Sequence, residues 1–305
     1  IYSNAELKNL IVSLQAGESY LIYTDLFEDG SSIAGTYTLT IHEFNGISGT
    51  CGENLTWMLT EDGTLTISGT GAMDDYTWTN PAPWAKETVT KLVFNPGITH
   101  IGNSAFNAAN GLNASITGTV VIPEGVESIG NAAFHWSKVT SVVLPSTLKT
   151  IEWSALQANL QEITIPAQVS AIANGAFSSD SLRSIVVEEG NTAFTVKDGV
   201  LYTSDMSRLV AVTGAITERI DVPDSVTDID GDSIGMAVAL RSLHLGKGFT
   251  GDLSGTTFVP LGNCPNLAEI TVSSENPRYY AVDNVLFIND GTLLCYPQQK
   301  QDAAY

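Results

Sequence analysis

No run of 18 consecutive apolar residues occurs in the sequence, so no segment reads as a membrane-spanning helix. Basic residues are few: 13 Lys and Arg stand against 33 Asp and Glu, a formal net charge of −20. Binding a nucleic-acid backbone needs clustered cations, and so does adsorption to an anionic membrane, so the balance excludes both. It favours cationic partners, bound cations or simple solubility. Cysteine is scarce as well. Cys51, Cys264 and Cys295 are far apart and form no C-x-x-C pair. That excludes a thiolate zinc site and a thioredoxin-like motif, and leaves three small residues suited to a buried core. The chain opens on Ile1 without a basic segment leading into an apolar one. We read it as a mature segment from which an export leader has been removed.

What the sequence has is internal repetition. Ile122-Pro123 to Phe134 reads IPEGVESIGNAAF, Leu144-Pro145 to Leu156 reads LPSTLKTIEWSAL, and Ile165-Pro166 to Phe177 reads IPAQVSAIANGAF. Val126, Leu148 and Val169 share a column, as do Ile129, Ile151 and Ile172, then Ala133, Ala155 and Ala176, and finally Phe134, Leu156 and Phe177. The period is 21 or 22 residues. An earlier copy spans Asn95 to Phe106 and a weaker one spans Val222 to Ile234. Between copies lie segments such as Leu160, Ile163 and Ile165, whose last positions alternate as a short strand does. A strand this short is not stable alone, and stacking one per coil builds a parallel ladder in which each coil covers its neighbour. The proline ends each strand where its missing N–H does no harm. The IGNAAF segment then returns the chain, for which we expect one or two short helical or 3₁₀ turns.

A longer repeat overlies the first. Leu182 to Val212 aligns with Leu267 to Pro297 at a constant offset of 85 residues. Asn191 matches Asn276, Phe194 matches Tyr279, and Asp198-Gly199 matches Asp283-Asn284. Both copies read as β-hairpin excursions, at 191–212 and 276–297, with a turn that suits positive φ. If both leave the stack on one side, they frame an acidic groove suited to a basic protein segment. Before Phe94 the pattern changes. Residues 1–47 read as a small β unit, with strand-like runs at Leu21–Tyr23 and Tyr37–Ile41. Residues 48–93 read as an N-terminal hairpin cap turning at Asp62-Gly63, and 94–305 as the solenoid.

These features together resemble the BspA-like leucine-rich repeat family, the bacterial cell-surface antigen type. The coil P-x-x-V-x-x-I-G-x-x-A-F followed by L-x-x-I-x-I-P is that family's repeat. Ser48 to Met73, Pro83-Trp84 and Asn191 to Tyr202 are similar to its opening segment and its hairpin insertion. The likeness runs from Ser48 to Tyr296. It implies a leucine-rich-repeat solenoid of short parallel strands with short helical turns, secreted or surface-attached. It also implies a role in binding or adhesion, with a protein, basic or host-derived, or a glycan as partner. The alternatives are a structural spacer displaying another domain, or a non-catalytic part of a glycan-active enzyme. The resemblance brings no catalytic residue and no cofactor. Two departures stand out: Trp153 occupies a column held by Asn103, Asn131 and Asn174, and the coil from Gly246 to Asn263 is stretched, with a loose anchor at Phe258.

Candidate site residues follow from these departures and from the acids. His42, His100, His135 and His244 are dispersed, with His100 and His135 in different columns of the coil, so the histidines propose no triad or metal site. Asp221, Asp224, Asp228, Asp230 and Asp232 form the densest acidic run. Asp228, Asp230 and Asp232 have oxygen-rich spacing of the kind that holds Ca²⁺, but lack the closing Glu of an EF-hand, and a solvated acidic rim is the simpler reading. Asp221 and Asp224 are candidates for contact with a partner. His135, Trp136 and Trp153 lie one coil apart. Either each Trp packs along the flank of the next coil, or together they form an aromatic platform for a protein or a sugar ring.

Overall fold

The computed structural model describes residues 27–28, 31–32, 46–109, 113, 115–216, 218–230, 233–253, 261 and 264–300. The chain divides into two compact units, Ile1–Phe44 and Asn45–Tyr305. In the first, Phe27–Glu28 pairs antiparallel with Ser31–Ser32. The runs expected at Leu21–Tyr23 and Tyr37–Ile41 lie outside the described residues, as does Phe258.

The second unit begins with three antiparallel strands, Gly46–Gly52, Leu55–Thr60 and Thr64–Gly69. Alternation drives them: Leu55, Trp57, Leu59, Leu65 and Ile67 are buried. Gly63 turns the chain at φ 80°, and the Asp62 carboxylate accepts from the Thr60 hydroxyl at 2.5 Å and the Thr64 amide at 3.0 Å. Lys91–Phe94 then pairs parallel with Thr64–Gly69, which hands the sheet over to the coils.

Each coil that follows contributes to two parallel ladders. One stacks Gly71–Ala72, Ile98–Ile101, Ser128–Ile129, Thr150–Ile151 and Ala171–Ile172. The other stacks Thr117–Val121, Lys138–Val143, Glu162–Ile165 and Ser184–Val187. A further set, Arg219–Asp221, Ser242–Leu245 and Glu269–Val272, is also parallel. Proline sits at the first residue of the turn between rungs: the amides of Val126, Leu148 and Val169 bond the carbonyls of Pro123, Pro145 and Pro166 at 3.2–3.3 Å.

The expected helical turns in the return segments are not there. Among the described residues the helical element is a three-residue 3₁₀ turn, Ile234–Met236, in the weakest copy of the repeat. The backbone gives the reason. Ser104, Ala132, Ser154 and Gly175 occupy one column, and all are left-handed, with φ between 51° and 66°. A right-handed helix does not pass through such a residue. The amides flanking it alternate in direction. Ala133 and His135 bond back to Gly130 and Ala132 in their own coil, whereas Ala132, Phe134 and Trp136 bond the carbonyls of Trp153, Ala155 and Gln157 in the next. The return segment is therefore a ribbon of turns that continues the hydrogen bonding between coils.

The inward columns fill the space between ladders and ribbon. Ile101, Ile129 and Ile151 are fully buried, with the Ala and Phe/Leu columns beside them. At the N-terminal end an aromatic stack runs through the coils. Trp84 lies on Phe106 at 5.6 Å and Phe106 on Phe134 at 5.1 Å, both near-parallel, while Trp57 meets Trp84 edge-on at 5.8 Å. The Trp84 indole N–H donates to the Ala105 carbonyl at 3.0 Å.

Each of the two excursions is a three-stranded meander. Phe194–Lys197, Val200–Thr203 and Arg208–Val212 make the first, and Tyr279–Val282, Val285–Ile288 and Leu293–Cys295 the second. Their registers coincide at the offset of 85: Phe194 faces Thr203 and Tyr279 faces Ile288. Both turn on two residues of positive φ, Asp198-Gly199 and Asp283-Asn284. Both hang on one asparagine. The Asn191 amide group donates to the carbonyls of Pro166 and Val169 at 2.8 and 3.0 Å and accepts from the amides of Ala193 and Phe194; Asn276 does the same with Gly246, Phe249, Arg278 and Tyr279. The first meander is not a flap on the coil edge. Leu201, Val210 and Ala211 belong to the core of the preceding coils, while Val200, Tyr202, Leu209 and Val212 belong to the core of the following ones. Its last strand pairs parallel with Asp228–Ile229 and so takes the place of a short rung.

Two predictions follow from this packing. Phe134 is fully buried in the aromatic stack. Phe134→Ala is expected to cost about 3–5 kcal/mol, read from the urea midpoint; an unchanged midpoint would show that the column does not point inward. The second concerns acid. Hydrogen bonds from the Thr60 hydroxyl, then the Thr64 amide, hold Asp62 below the usual carboxylate range, the Thr292 amide does so for Asp290, and the Thr203 and Ser207 hydroxyls bring Asp205 from 3.8 to about 2. Folded values below unfolded ones mean stabilisation that is complete above about pH 4 and is lost as the pH falls through about 2 for Asp205. The melting temperature should decline over that interval, and Asp62→Asn with Asp205→Asn should flatten the decline.

Candidate functional site

The ribbon of turns carries an irregular surface. In the column two residues past the anchor, successive coils hold Trp136, Ala158 and Ser179. A large ring followed by two small side chains makes a step. From it a cleft of about 400 Å³ runs past Gln157, Asn159 and Asp180 to a far wall of Met236, Val238 and Pro265. The far wall is fixed from below: the Asn266 side-chain amide donates to the Val238 carbonyl at 3.0 Å, and the Cys264 thiol to the Ile234 carbonyl at 3.4 Å.

The three aromatic candidates come together at the head of this cleft. His135 lies between the indoles, its centroid 4.5 Å from that of Trp136 and 6.1 Å from that of Trp153. Trp136 remains 62% exposed and Trp153 45%. Burial pushes the His135 pKa below its ordinary value, so the imidazole is neutral at neutral pH and brings no charge to the cluster. Trp153 ends an asparagine ladder. The Asn103 side-chain carbonyl accepts from the Asn131 amide at 2.6 Å, but the Asn131 side chain donates instead to Glu152 at 2.6 Å, because the next coil has an indole in that column.

Trp136 is also strained. Its φ is 57°, a region that a bulky side chain occupies at a cost of about 1–3 kcal/mol. Neighbouring coils hold Ala158 and Ser179 in this column without positive φ. A mostly exposed indole in a left-handed residue is not explained by burial.

The acidic candidates lie elsewhere. None of Asp221, Asp224, Asp228 and Asp230 lines the cleft. Asp221 is held by Arg219 at 2.7 Å, and Asp224 accepts from the Lys247 amide at 2.9 Å. Asp230 is not part of a solvated rim: it is 2% exposed and accepts from the Gly175 amide at 2.9 Å and from Arg208 at 3.4 Å. Arg208 also approaches Asp228 at 3.8 Å and bonds Asn174 and the Ile172 carbonyl. The guanidinium thus occupies the space between the two aspartates. Asp232 lies outside the described residues. No group of three or more His, Cys, Asp or Glu among the described residues converges as a metal-ligand set.

Among the described residues, histidines and serines show no catalytic pairing. His100 bonds Ser128 at 2.7 Å and His244 bonds Thr271 at 2.9 Å, each across neighbouring rungs. Gly231, Ser233 and Gly235 have the spacing of a nucleophile elbow, yet Ser233 is 5% exposed and its hydroxyl donates to the Asp230 carbonyl at 2.7 Å. The cleft wall itself, Gln157, Asn159 and Asp180, has no motif. Its signal is the contrast in side-chain size down one column.

Comparison with known proteins agrees with this architecture. Residues 83–205 match a family model described as BspA type leucine rich repeat region, in six copies. A leucine-rich repeat protein from Eubacterium ventriosum is similar in structure, with a TM-score of 0.57 and 25% identity over 76% of this chain and 73% of that one. The pneumococcal vaccine antigen PcpA shares the fold, with a TM-score of 0.55 and 18% identity over 76% of this chain and 72% of that one. No curated protein sequence is significantly similar to the chain. No helix among the described residues is long and apolar enough to cross a membrane. Residues 83–205 are thus a leucine-rich-repeat scaffold.

The strain at Trp136 gives a direct test of whether the ring serves stability. Asn tolerates left-handed φ, so Trp136→Asn should leave the urea midpoint unchanged or raise it by up to about 1 kcal/mol. A loss of more than about 1 kcal/mol would make the indole a structural element.

Proposed function

We propose that this chain, whose residues 83–205 match the BspA type leucine-rich repeat model, is an extracellular or cell-surface binding module. In this reading its ligand docks on the ribbon side, at the cluster of His135, Trp136 and Trp153. One observation carries the reading: two exposed indoles meet across a half-buried, neutral imidazole at the head of an open cleft, on a backbone strained to hold one of them there. Exposed, clustered aromatics on a rigid support are the usual energetic centre of a recognition surface. The coil stack supplies the rigid support. Asp221 and Asp224 are left out of the site because Arg219 and the Lys247 amide already engage them.

The test is an array of extracellular host proteins and glycans probed with the purified protein and with a Trp136→Ala, Trp153→Ala variant. Hits for the parent should weaken about 10-fold or more in the variant, the loss expected of aromatic anchors, while its melting temperature holds. Hits that survive both substitutions at full strength would place recognition on another face.

A further inference from the structure

We propose that the cleft beside Trp136 is a carbohydrate site, and that its ligand is a neutral oligosaccharide with one pyranose ring stacked on the Trp136 indole. The proposal rests on the binding role above and names the ligand class for the same site. Size is the first argument. About 400 Å³ lies within the 300–1,000 Å³ usual for small-ligand sites, and the cleft is open to solvent, which leaves a sugar chain room to extend beyond it.

Chemistry is the second. A pyranose has an apolar face of C–H groups and an edge of hydroxyls that both donate and accept. The cleft presents the matching pair: an exposed indole on one side, and amide and carboxylate groups on the next two coils. Gln157 and Asn159 each carry two donors and an acceptor, and among the described residues their side-chain amides have no partner within the protein. Asp180 adds an acceptor, exposed on the same wall. Hydroxyl-rich ligands satisfy such unspent groups, and analogues without hydroxyls leave them unpaired.

Charge is the third and fixes the word neutral. Among the described residues no Lys or Arg lines the cleft, Asp180 does, and the chain carries −20 overall. Phosphorylated, sulfated, sialylated or uronate-bearing glycans would meet repulsion without a compensating cation. The far wall of Met236, Val238 and Pro265 offers a second apolar surface, so the cleft is bounded on both sides.

The experiment uses the whole chain. Neutral di- and tetrasaccharides of glucose, galactose, mannose and N-acetylhexosamines are titrated, with sialyllactose and a uronate disaccharide as anionic controls. Binding is read from Trp fluorescence and from the indole N–H resonance assigned to Trp136. At least one neutral series should perturb that resonance and bind with affinity rising from di- to tetrasaccharide. Trp136→Ala should weaken it at least 10-fold and Trp136→Phe only several-fold. Asn159→Ala and Asp180→Ala should each weaken it several-fold, and Trp153→Ala, outside the cleft lining, should change it less than Trp136→Ala does. Saturation by the anionic controls alone, or neutral binding indifferent to Trp136, would overturn the proposal. If no sugar perturbs Trp136 while a protein on the array binds through Trp136 and Trp153, the carbohydrate assignment falls and the binding face stands. If array binding ignores both indoles, the face itself falls.

Discussion

The hydrogen bonds that run from one coil's return segment to the next hold the rest of the structure in place. They exist because one residue per coil, Ser104, Ala132 or Ser154, is left-handed. That residue turns every second amide out of its own turn and toward the neighbouring coil. A helix would satisfy its amides internally and leave adjacent coils to meet through side chains alone. The ribbon instead ties coil to coil on the third side, as the two ladders do on the others. With the backbone spacing fixed on all sides, the Ile, Ala and Phe columns have one way to fill the interior, and the small Ala leaves room for the anchor behind it.

Much of this was legible in the sequence. The Val126, Ile129 and Phe134 columns marked the inward positions, and the 85-residue offset carried the meander register down to the Asp198 and Asp283 turns. The second ladder was not legible, because rungs of two residues such as Ser128–Ile129 are too short to show alternation. The left-handed column was hidden for a different reason. Ser, Ala and Ser occupy three of its four positions, and none announces positive φ as glycine does. Helical turns were therefore the natural expectation for segments whose amides in fact serve the next coil. Asp230 misled in the same way: its burial depends on Arg208, which the meander delivers from 22 residues away.

The aromatic cluster was partly readable. Trp153 announced itself by breaking an asparagine column, and its nearness to His135 follows from coil stacking. The cleft was not readable from any one copy of the repeat. It arises from a difference between copies, Trp136 against Ala158 and Ser179, and from a far wall that the chain supplies only at Met236 to Pro265. Regular coils make a smooth surface, so a recognition site on such a scaffold is built from irregularities. Here the same irregularities carry the backbone strain and the unspent amide groups.

The first meander has a consequence for how the molecule comes apart. Its second and third strands are buried on both faces, one toward the coils before it and one toward the coils after it. It is a bulkhead between two compartments. Loss of order in the later coils strips one face of that sheet but leaves the other seated on the earlier core, so damage at the C-terminal end meets a barrier before reaching the coils that carry Trp136 and Trp153. In an uninterrupted solenoid each melted coil uncovers the next. In this one the fraying of the far end stops at a wall that the chain has already built.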